Sequence, residues 1–467
     1  MSESDFENEF EDDVANAMNI VYKEVSELYE FRDLFFENHP VEKAKDKNSL
    51  VEFRKNKLID KLEYIDVDTT IPMDYRAKFF YMKGRAYNIS ATYDVRAIAN
   101  LSRAVKLNPR MVDAWNELGE CYWKNNNIKE AKASFEGALK HGPNSVALRC
   151  LSVLSRQEGC NKNRVEAGAG ILKSVELAKE AVACDTKDGV SWSILGNAYL
   201  CQFFTVAQDL SLLKLCMNAY RHAAADPIAM GQPDLHFNEG VAFKYAEQYG
   251  EAIAKYSYAL RLDPPWEPPA RERAKLIKFT KAADALIKTK GKIKTKKIAK
   301  MVESLDMKML GLYSPGCQYS YGDRCDVALE HTEINTLHEG LNERKVILAK
   351  VIGSIHNESN IPFTFGIIDK SMECILVTVY NWGEGHGVII GDTVAIPEPQ
   401  LSVQKHDGEL TKYNFKSVRV NNPMLLQING KRVGREQYAS TRVTSTAYNH
   451  APSRRSALSF VDCCITQ

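Results

Sequence analysis

Ala114-Trp115-Asn116-Glu117-Leu118-Gly119-Glu120-Cys121-Tyr122, followed by Ala131-Lys132-Ala133-Ser134-Phe135 and then Pro143, is the stretch that decides the fold. It carries every anchor of a tetratricopeptide repeat: W-x-x-L-G-x-x-Y on a first helix, A-x-x-x-F on a second, and a closing proline. Each anchor has a physical job. Gly119 lets the second helix come close to the first, with Trp115, Leu118 and Tyr122 supplying bulk around it. Pro143 ends the second helix because it has no N–H to give to an interior helical bond.

The same register recurs outward from this stretch. Tyr81 and Pro109 lie 34 residues before Trp115 and Pro143. Trp192-x-x-Leu195-Gly196-x-x-Tyr199 opens another repeat, and Gly240, Phe243, Ala252, Tyr256, Ala259 and Pro264 outline one more. A degenerate repeat fills Val146 to Asp185, with Ala178 and Ala181 on its second helix. Trp115 and Trp192 are separated by more than two repeats of about 34 residues. Inserted loops are therefore expected at Gln157 to Gly170 and Cys201 to Leu212. About five helical pairs result, enough for a stable stack. Before them, Val14 to Ile65 reads as helix, with an apolar stripe of Val21, Val25, Leu28, Tyr29, Phe31 and Phe35. The stripe is either a cap on the first repeat or a dimer face.

After Lys290 the helical period gives way to short apolar runs broken by Gly and Pro. Val346 to Gly353, Phe363 to Ile368, Cys374 to Tyr380, Asp392 to Ile396 and Tyr413 to Val420 read as strands. The expected fold class is α + β multidomain: an α-helical TPR solenoid followed by a C-terminal OB-like β-barrel. The domain plan is an acidic disordered start (1–13), N-terminal capping helices (14–73), TPR repeats (74–287), a basic linker (288–309), an OB-fold domain (310–433) and a disordered tail (434–467).

Composition narrows the function classes. Of 467 residues, 45% are apolar and 26% charged, the balance of a soluble globular chain. The net charge of +1 hides an asymmetry, because the first 13 residues hold seven acids and no base. Arg271 to Lys300, in contrast, holds twelve Lys and Arg against Glu272 and Asp284. No basic-then-apolar leader opens the chain, and no apolar run nears the roughly 20 residues that span a bilayer. Eleven cysteines are scattered without a Cys-x-x-Cys pair, which fits reduced thiols of the cytosol or nucleus. A cytoplasmic and nuclear location, without membrane contact, is expected. Gly-x-Ser-x-Gly, His-Glu-x-x-His and P-loop patterns are missing, so the chain reads as no enzyme, with no cofactor and no metal.

Candidate binding residues follow from the architecture. First-helix side chains line the concave face of a repeat stack, the default peptide site. Asp234 sits at the start of the last first helix, where it meets a ligand, caps the helix or is solvated. Arg156, among apolar neighbours, is a surface charge, half of an ion pair or a ligand contact. Where carboxylate-clamping repeats carry Lys and Asn, this repeat offers Asn116, Glu117 and Glu120, and the two acids would repel a C-terminal carboxylate and suit a basic ligand. The run Lys290-Gly291-Lys292-Ile293-Lys294-Thr295-Lys296-Lys297 is a phosphate-contacting patch, a solvated linker or a nuclear-import signal. In the β domain, Phe363 and Phe365 share a strand face, as core or as base-stacking platform. Tyr380 and Trp382 carry the same two readings. Gly383 to Gly387 links two strands and opens no helix, which argues against a dinucleotide loop.

Beyond these motifs the chain resembles the Strap family (tetratricopeptide repeat protein five), stress-responsive repeat proteins with a C-terminal OB fold. The resemblance is carried by Leu28-Tyr29-Glu30-Phe31-Arg32-Asp33, Ala114 to Glu120, Trp192 to Asn197, Pro233-Asp234-Leu235-His236 and Lys290 to Lys297. In the β domain it is carried by Pro362 to Gly366, Gly391 to Pro399 and Ser417 to Val420. It covers about residues 20 to 433. The resemblance implies a non-enzymatic adaptor that binds the N-terminal Met-Arg-Glu peptide of nascent tubulin at the ribosome. There it promotes co-translational tubulin mRNA decay, with the mRNA-decay machinery as a further partner. It also implies an alternative: a nuclear transcription cofactor of stress and DNA-damage responses. That cofactor would scaffold a histone acetyltransferase coactivator and an actin nucleator, with DNA or chromatin contact through the OB domain. The family's groove arginine falls on Arg156 and its groove aspartate on Asp234. Its groove glutamate falls on Pro268, with Glu267 one place earlier as the substitute. Its ribosome contacts fall on Lys294 and Lys296, within the basic set Lys290, Lys292, Lys294, Lys296 and Lys297. Charge logic agrees independently: a Met-Arg-Glu ligand needs an acid for its Arg and a base for its Glu.

Overall fold

The computed structural model describes residues 3–67, 70–160, 164–206, 209–317, 319–321, 324–356, 362–383 and 385–438. Sixteen helices are described: α1 Glu3–Asp33, α2 Phe35–Asn38, α3 Lys47–Glu63, α4 Met73–Asn88, α5 Val95–Leu107, α6 Val112–Lys124, α7 Ile128–Leu139, α8 Ser145–Cys160, α9 Arg164–Cys184, α10 Gly189–Thr205, α11 Leu210–Ala223, α12 Pro227–Met230, α13 Pro233–Tyr245, α14 Tyr249–Leu262, α15 Glu267–Lys288 and α16 Thr295–Glu303. The chain divides into two units. One holds Met1–Glu247 and Ala254–Ala270, the other Gln248–Ile253 and Arg271–Thr441.

The first unit is the repeat stack. Its pairs are α4 with α5, α6 with α7, α8 with α9, α10 with α11, and α13 with the later part of α14. The glycine anchors sit where the pairs touch most closely. A Cβ on Gly119 would fall 2.7 Å from the Phe135 ring, one on Gly84 would fall 2.6 Å from Leu101, and one on Gly196 would fall 2.4 Å from Tyr220. The stripe on α1 packs inward: Val21, Val25, Leu28 and Tyr29 share a core with Phe79, Phe80, Met82, Ala86 and Leu118. Helix α1 begins at Glu3, inside the stretch whose charge suggested disorder.

The described residues of the two expected insertions are mostly helix. α8 runs to Cys160 and α9 starts at Arg164, so Gln157 to Gly170 is mostly helix. α10 continues to Thr205 and α11 starts at Leu210. No proline interrupts either segment, and the described extra residues lengthen the flanking helices.

In the second unit the strands are β1 Tyr319–Tyr321, β2 Arg324–Val327, β3 Glu330–His331, β4 Gly340–Leu341, β5 Lys345–Ile355, β6 Phe363–Ile368, β7 Cys374–Val379, β8 Thr393–Pro397, β9 Gln400–Asp407, β10 Lys412–Val420, β11 Gln427–Ile428 and β12 Lys431–Arg432. The five expected strands are β5, β6, β7, β8 and β10. The expected barrel is not formed. The main sheet runs β12-β11-β8-β5-β6-β7-β10-β9-β4, with β3 paired to β5, and its ends are not joined. Closure would bring β8 and β10 together, but both edges are taken. β9 pairs along β10 from Lys412↔Asp407 to Arg419↔Gln400, and β11 pairs with β8 at Gln427↔Ala395.

Both faces of this sheet are covered. Ile347, Ala349, Val351, Phe365, Ile367, Val377, Val394 and Val418 form one core. Val346, Leu348, Ile352, Ile368 and Ala395 form another with Ile298 and Val302 of α16 and with Leu305, Leu310 and Tyr313. Two-sided burial explains why β5 reads as a nearly unbroken apolar run. The stretch 288–309 therefore carries a 3-10 turn, Lys290–Lys292, and a helix built into a core. Of the expected disordered tail, Arg435–Gln437 forms a 3-10 turn, and residues 439–467 lie outside those described.

Candidate functional site

Arg156 and Asp234 both lie inside the repeat unit. Arg156 is 2% exposed and Asp234 is 5% exposed, so neither is a solvated surface charge. Arg156 stands one turn after Ser152 on α8. Its Nη1 donates to Ser174 Oγ of α9 at 3.0 Å and to the Ile194 carbonyl of α10 at 3.5 Å. Asp234 follows Pro233 in the first turn of α13, where the helix dipole favours its negative charge. The N-cap of α13 is Gln232, so Asp234 does not fill the capping role.

Helix α10 ties the two elements together. Arg156 reaches it at Ile194, and Asn238, one turn after Asp234, donates to Asn197 Oδ1 at 3.0 Å. Ile194 and Asn197 are one helical turn apart. Tyr220 OH donates to the same Asn197 oxygen at 2.7 Å. Glu267 differs from the other two candidates: it opens α15 and is exposed, while Pro268 beside it is buried.

Glu117 and Glu120 of α6 have partners in their own chain. Glu117 accepts from Asn88 Nδ2 at 2.7 Å, from Arg85 Nε at 3.3 Å and from Tyr29 OH at 3.3 Å. Glu120 pairs with Lys124 Nζ at 3.0 Å. Burial, and then the neighbouring Glu120, push the Glu117 carboxyl above its ordinary range. Burial works against ionised Glu120 too, but Lys124 and Arg32 outweigh it and hold that carboxyl low. The basic partner these acids call for is supplied from within, partly by α1. Arg85 and Arg32 lie over the Tyr29 ring at 4.0 Å and 4.4 Å.

The lysine run is a fixed feature of the second unit. Lys290, Gly291 and Lys292 have φ of 47°, 67° and 58°. At Gly291 the backbone comes so close to β5 that a Cβ would fall 2.2 Å from the Ile352 carbonyl oxygen. Lys290 Nζ donates to the Met372 carbonyl at 3.2 Å, whereas Lys292, Lys294, Lys296 and Lys297 are exposed. Lys294 is the N-cap of α16, and Lys296 and Lys297 lie in its first turn. Cations there oppose the helix dipole by a few tenths of a kcal/mol or more. Ile298 and Val302 anchor the other face of α16 in the core.

The β-domain aromatics belong to that unit's core. Phe365 is fully buried, Phe363 and Trp382 pack against the same cluster, and their rings meet edge-on at 5.2 Å. Tyr380 is buried beneath the Arg419 guanidinium, 3.7 Å from its ring centre. Gly387 packs on the Phe363 ring, so the glycine-rich turn serves packing. Among the described residues no group of three or more His, Cys, Asp or Glu is placed to hold a metal ion. Among them, too, no helix is long and apolar enough to cross a membrane.

Sequence reasoning missed the hydroxyl pair Ser152–Ser174 and the amide pair Asn197–Asn238. Small polar residues inside helices carry no periodic signal, and only the fold brings them together.

Comparison with known proteins adds three findings. Residues 328–442 match the model of the tetratricopeptide repeat protein 5 OB fold domain, and residues 96–146 match a tetratricopeptide repeat model. Tetratricopeptide repeat protein 5 of Homo sapiens is 39% identical over 436 residues, covering 93% of this chain and 98% of that one. The protein of the same name from Mus musculus is 39% identical over 424 residues, covering 90% of this chain and 94% of that one.

Proposed function

Because the chain belongs to the tetratricopeptide repeat protein 5 family and is a non-catalytic adaptor for protein–protein contacts, we propose that it recognises the N-terminal peptide of nascent tubulin at the ribosome. There it promotes co-translational decay of tubulin mRNA in the cytoplasm. One observation carries the reading: a base and an acid, Arg156 and Asp234, are both buried in the repeat unit on helices that meet α10 one turn apart. A Met-Arg-Glu peptide carries the complementary charges in adjacent residues. Glu267, exposed at the start of α15, is the third peptide contact. The exposed lysines around α16, chiefly Lys294 and Lys296, meet ribosomal phosphate with Lys290, Lys292 and Lys297 beside them. Support for that role is a left-handed turn packed on β5 that presents them and a helix start that they destabilise.

The test is co-sedimentation with stalled ribosomes. Ribosomes displaying a Met-Arg-Glu N-terminus should retain the protein, and ribosomes displaying a scrambled N-terminus should release it in moderate salt. Equal retention on both would overturn the peptide reading. Recovery with chromatin from a nuclear fraction, and not with ribosomes, would favour a transcription-cofactor role.

A further inference from the structure

The degenerate repeat departs from its neighbours at one informative place. In three repeats a glycine of the first helix lies against a large side chain of the second, leaving no room for a Cβ: Gly84 on Leu101, Gly119 on Phe135, Gly196 on Tyr220. Leu151-Ser152 on α8 stands where the other repeats have Leu118-Gly119 and Leu195-Gly196. The residue facing Ser152 across the pair is Ser174 of α9. An apolar close contact has become a hydroxyl pair, and both serines are fully buried.

Proton accounting gives the pair a direction. Ser152 Oγ donates to the Ser174 carbonyl at 2.8 Å. Its one proton is then spent, so across the 2.9 Å contact between the hydroxyls Ser174 is the donor. Ser174 Oγ is left as an acceptor, and Arg156 Nη1 donates to it at 3.0 Å. The chain Arg156 → Ser174 → Ser152 → backbone carbonyl satisfies every hydroxyl proton in one arrangement only. The other Nη1 bond goes to the Ile194 carbonyl. Two acceptors on two helices, Ser174 Oγ and the Ile194 carbonyl, thus hold Nη1 in place.

We propose that Ser174, backed by Ser152, is a positioning residue that orients Arg156 for the carboxylate of a bound peptide. The proposal rests on the peptide reading above and sharpens it. The degenerate repeat has exchanged a glycine contact for a device that selects an acidic side chain. Recognition of a carboxylate by a planar fork depends on orientation, which an apolar pair cannot supply.

The experiment measures affinity of the full-length protein for two labelled peptides, one beginning Met-Arg-Glu and one Met-Arg-Gln. Ser174→Ala should weaken the Glu peptide about tenfold, the scale of one hydrogen bond to a charged group, and leave the Gln peptide unchanged. A second variant, Ser152→Gly with Ser174→Leu, restores the glycine-and-leucine pair that Gly84 and Leu101 form. It should keep the fold and show the same selective loss. Equal weakening of both peptides, or no change with either, overturns the positioning role. If the wild-type protein does not distinguish the two peptides, or Arg156→Ala affects neither, the peptide reading fails first and the proposal goes with it.

Discussion

Gly291→Ala is the substitution whose cost can best be worked out in advance. Residue 291 has φ of 67°, a left-handed conformation that costs a residue with a Cβ about 1–2 kcal/mol. The new methyl would also lie 2.2 Å from the Ile352 carbonyl oxygen. That oxygen is backbone of β5 at Ile352, which the β6 register skips between Val351 and Gly353 but whose side chain is fully buried in the core, so it cannot move aside cheaply. Overpacking of this kind adds about 1–3 kcal/mol. Taken together, the second unit should lose about 3 kcal/mol. Hydrogen exchange read by mass spectrometry assigns the loss to a place. Amides of Val346 to Ile352 should exchange about a hundredfold faster, while those of α6 in the other unit should not change. Unchanged protection along β5 would refute the claim that the lysine run is seated on the sheet, and would return it to a solvated linker.

Other outcomes follow from the same geometry. Gly119→Ala gains about 1 kcal/mol of helix propensity but drives a methyl to 2.7 Å from the buried Phe135 ring, so urea unfolding should show net destabilisation of up to about 2 kcal/mol. Asp188 caps α10 through Val190 and Ser191 and pairs with Arg149 at 2.5 Å, so Asp188→Ala should cost about 2–3 kcal/mol in the same assay. Burial opposes the Asp188 charge, but Arg149 and the capping bonds outweigh it and depress its carboxyl. Its contribution is therefore present in full above the unfolded value, near 4, and should fade as pH falls through the lower folded value. Lys294→Ala with Lys296→Ala should flatten the salt dependence of polyanion binding by about two units of slope, one per lost phosphate contact; an unchanged slope in a filter-binding titration would count against that role.

Much of the repeat unit is legible in the chain because its anchors are local: glycine, aromatic and proline at fixed offsets report one packed helix pair each. Gly168 and Gly170 mislead in the same code, because they look like breakers yet sit within α9. In the β domain, strands buried on both faces announce themselves as apolar runs. β9, Gln400-Leu401-Ser402-Val403-Gln404-Lys405-His406-Asp407, does not, being largely polar near the sheet edge. Missing β9 also cost the topology, because it occupies the edge of β10 that a barrel would need. Whether a sheet closes depends on which edges are free, and no local pattern encodes that. α16 was hidden for another reason: Ile298, Val302 and Leu305 keep a helical spacing, but the lysines around them dominate the reading. At the site, the family resemblance, with place in the repeat for Asp234, pointed to Arg156 and Asp234, while their burial and the serines behind Arg156 depend on three helices meeting.

The central claim is that Arg156 and Asp234 bind the charges of a Met-Arg-Glu N-terminus. Fluorescence anisotropy with a labelled tubulin N-terminal peptide tests it most directly. Losing one partner of a desolvated, hydrogen-bonded ion pair costs about 2–5 kcal/mol, because the other charge stays buried. Asp234→Ala and Arg156→Ala should each weaken binding at least about thirtyfold, and Asp234→Arg should weaken it further by repelling the peptide Arg. Against Arg156→Ala, replacing the peptide Glu with Gln should cost less than it costs against wild type, since both changes remove one pair. Wild-type affinity in both alanine variants would contradict the account.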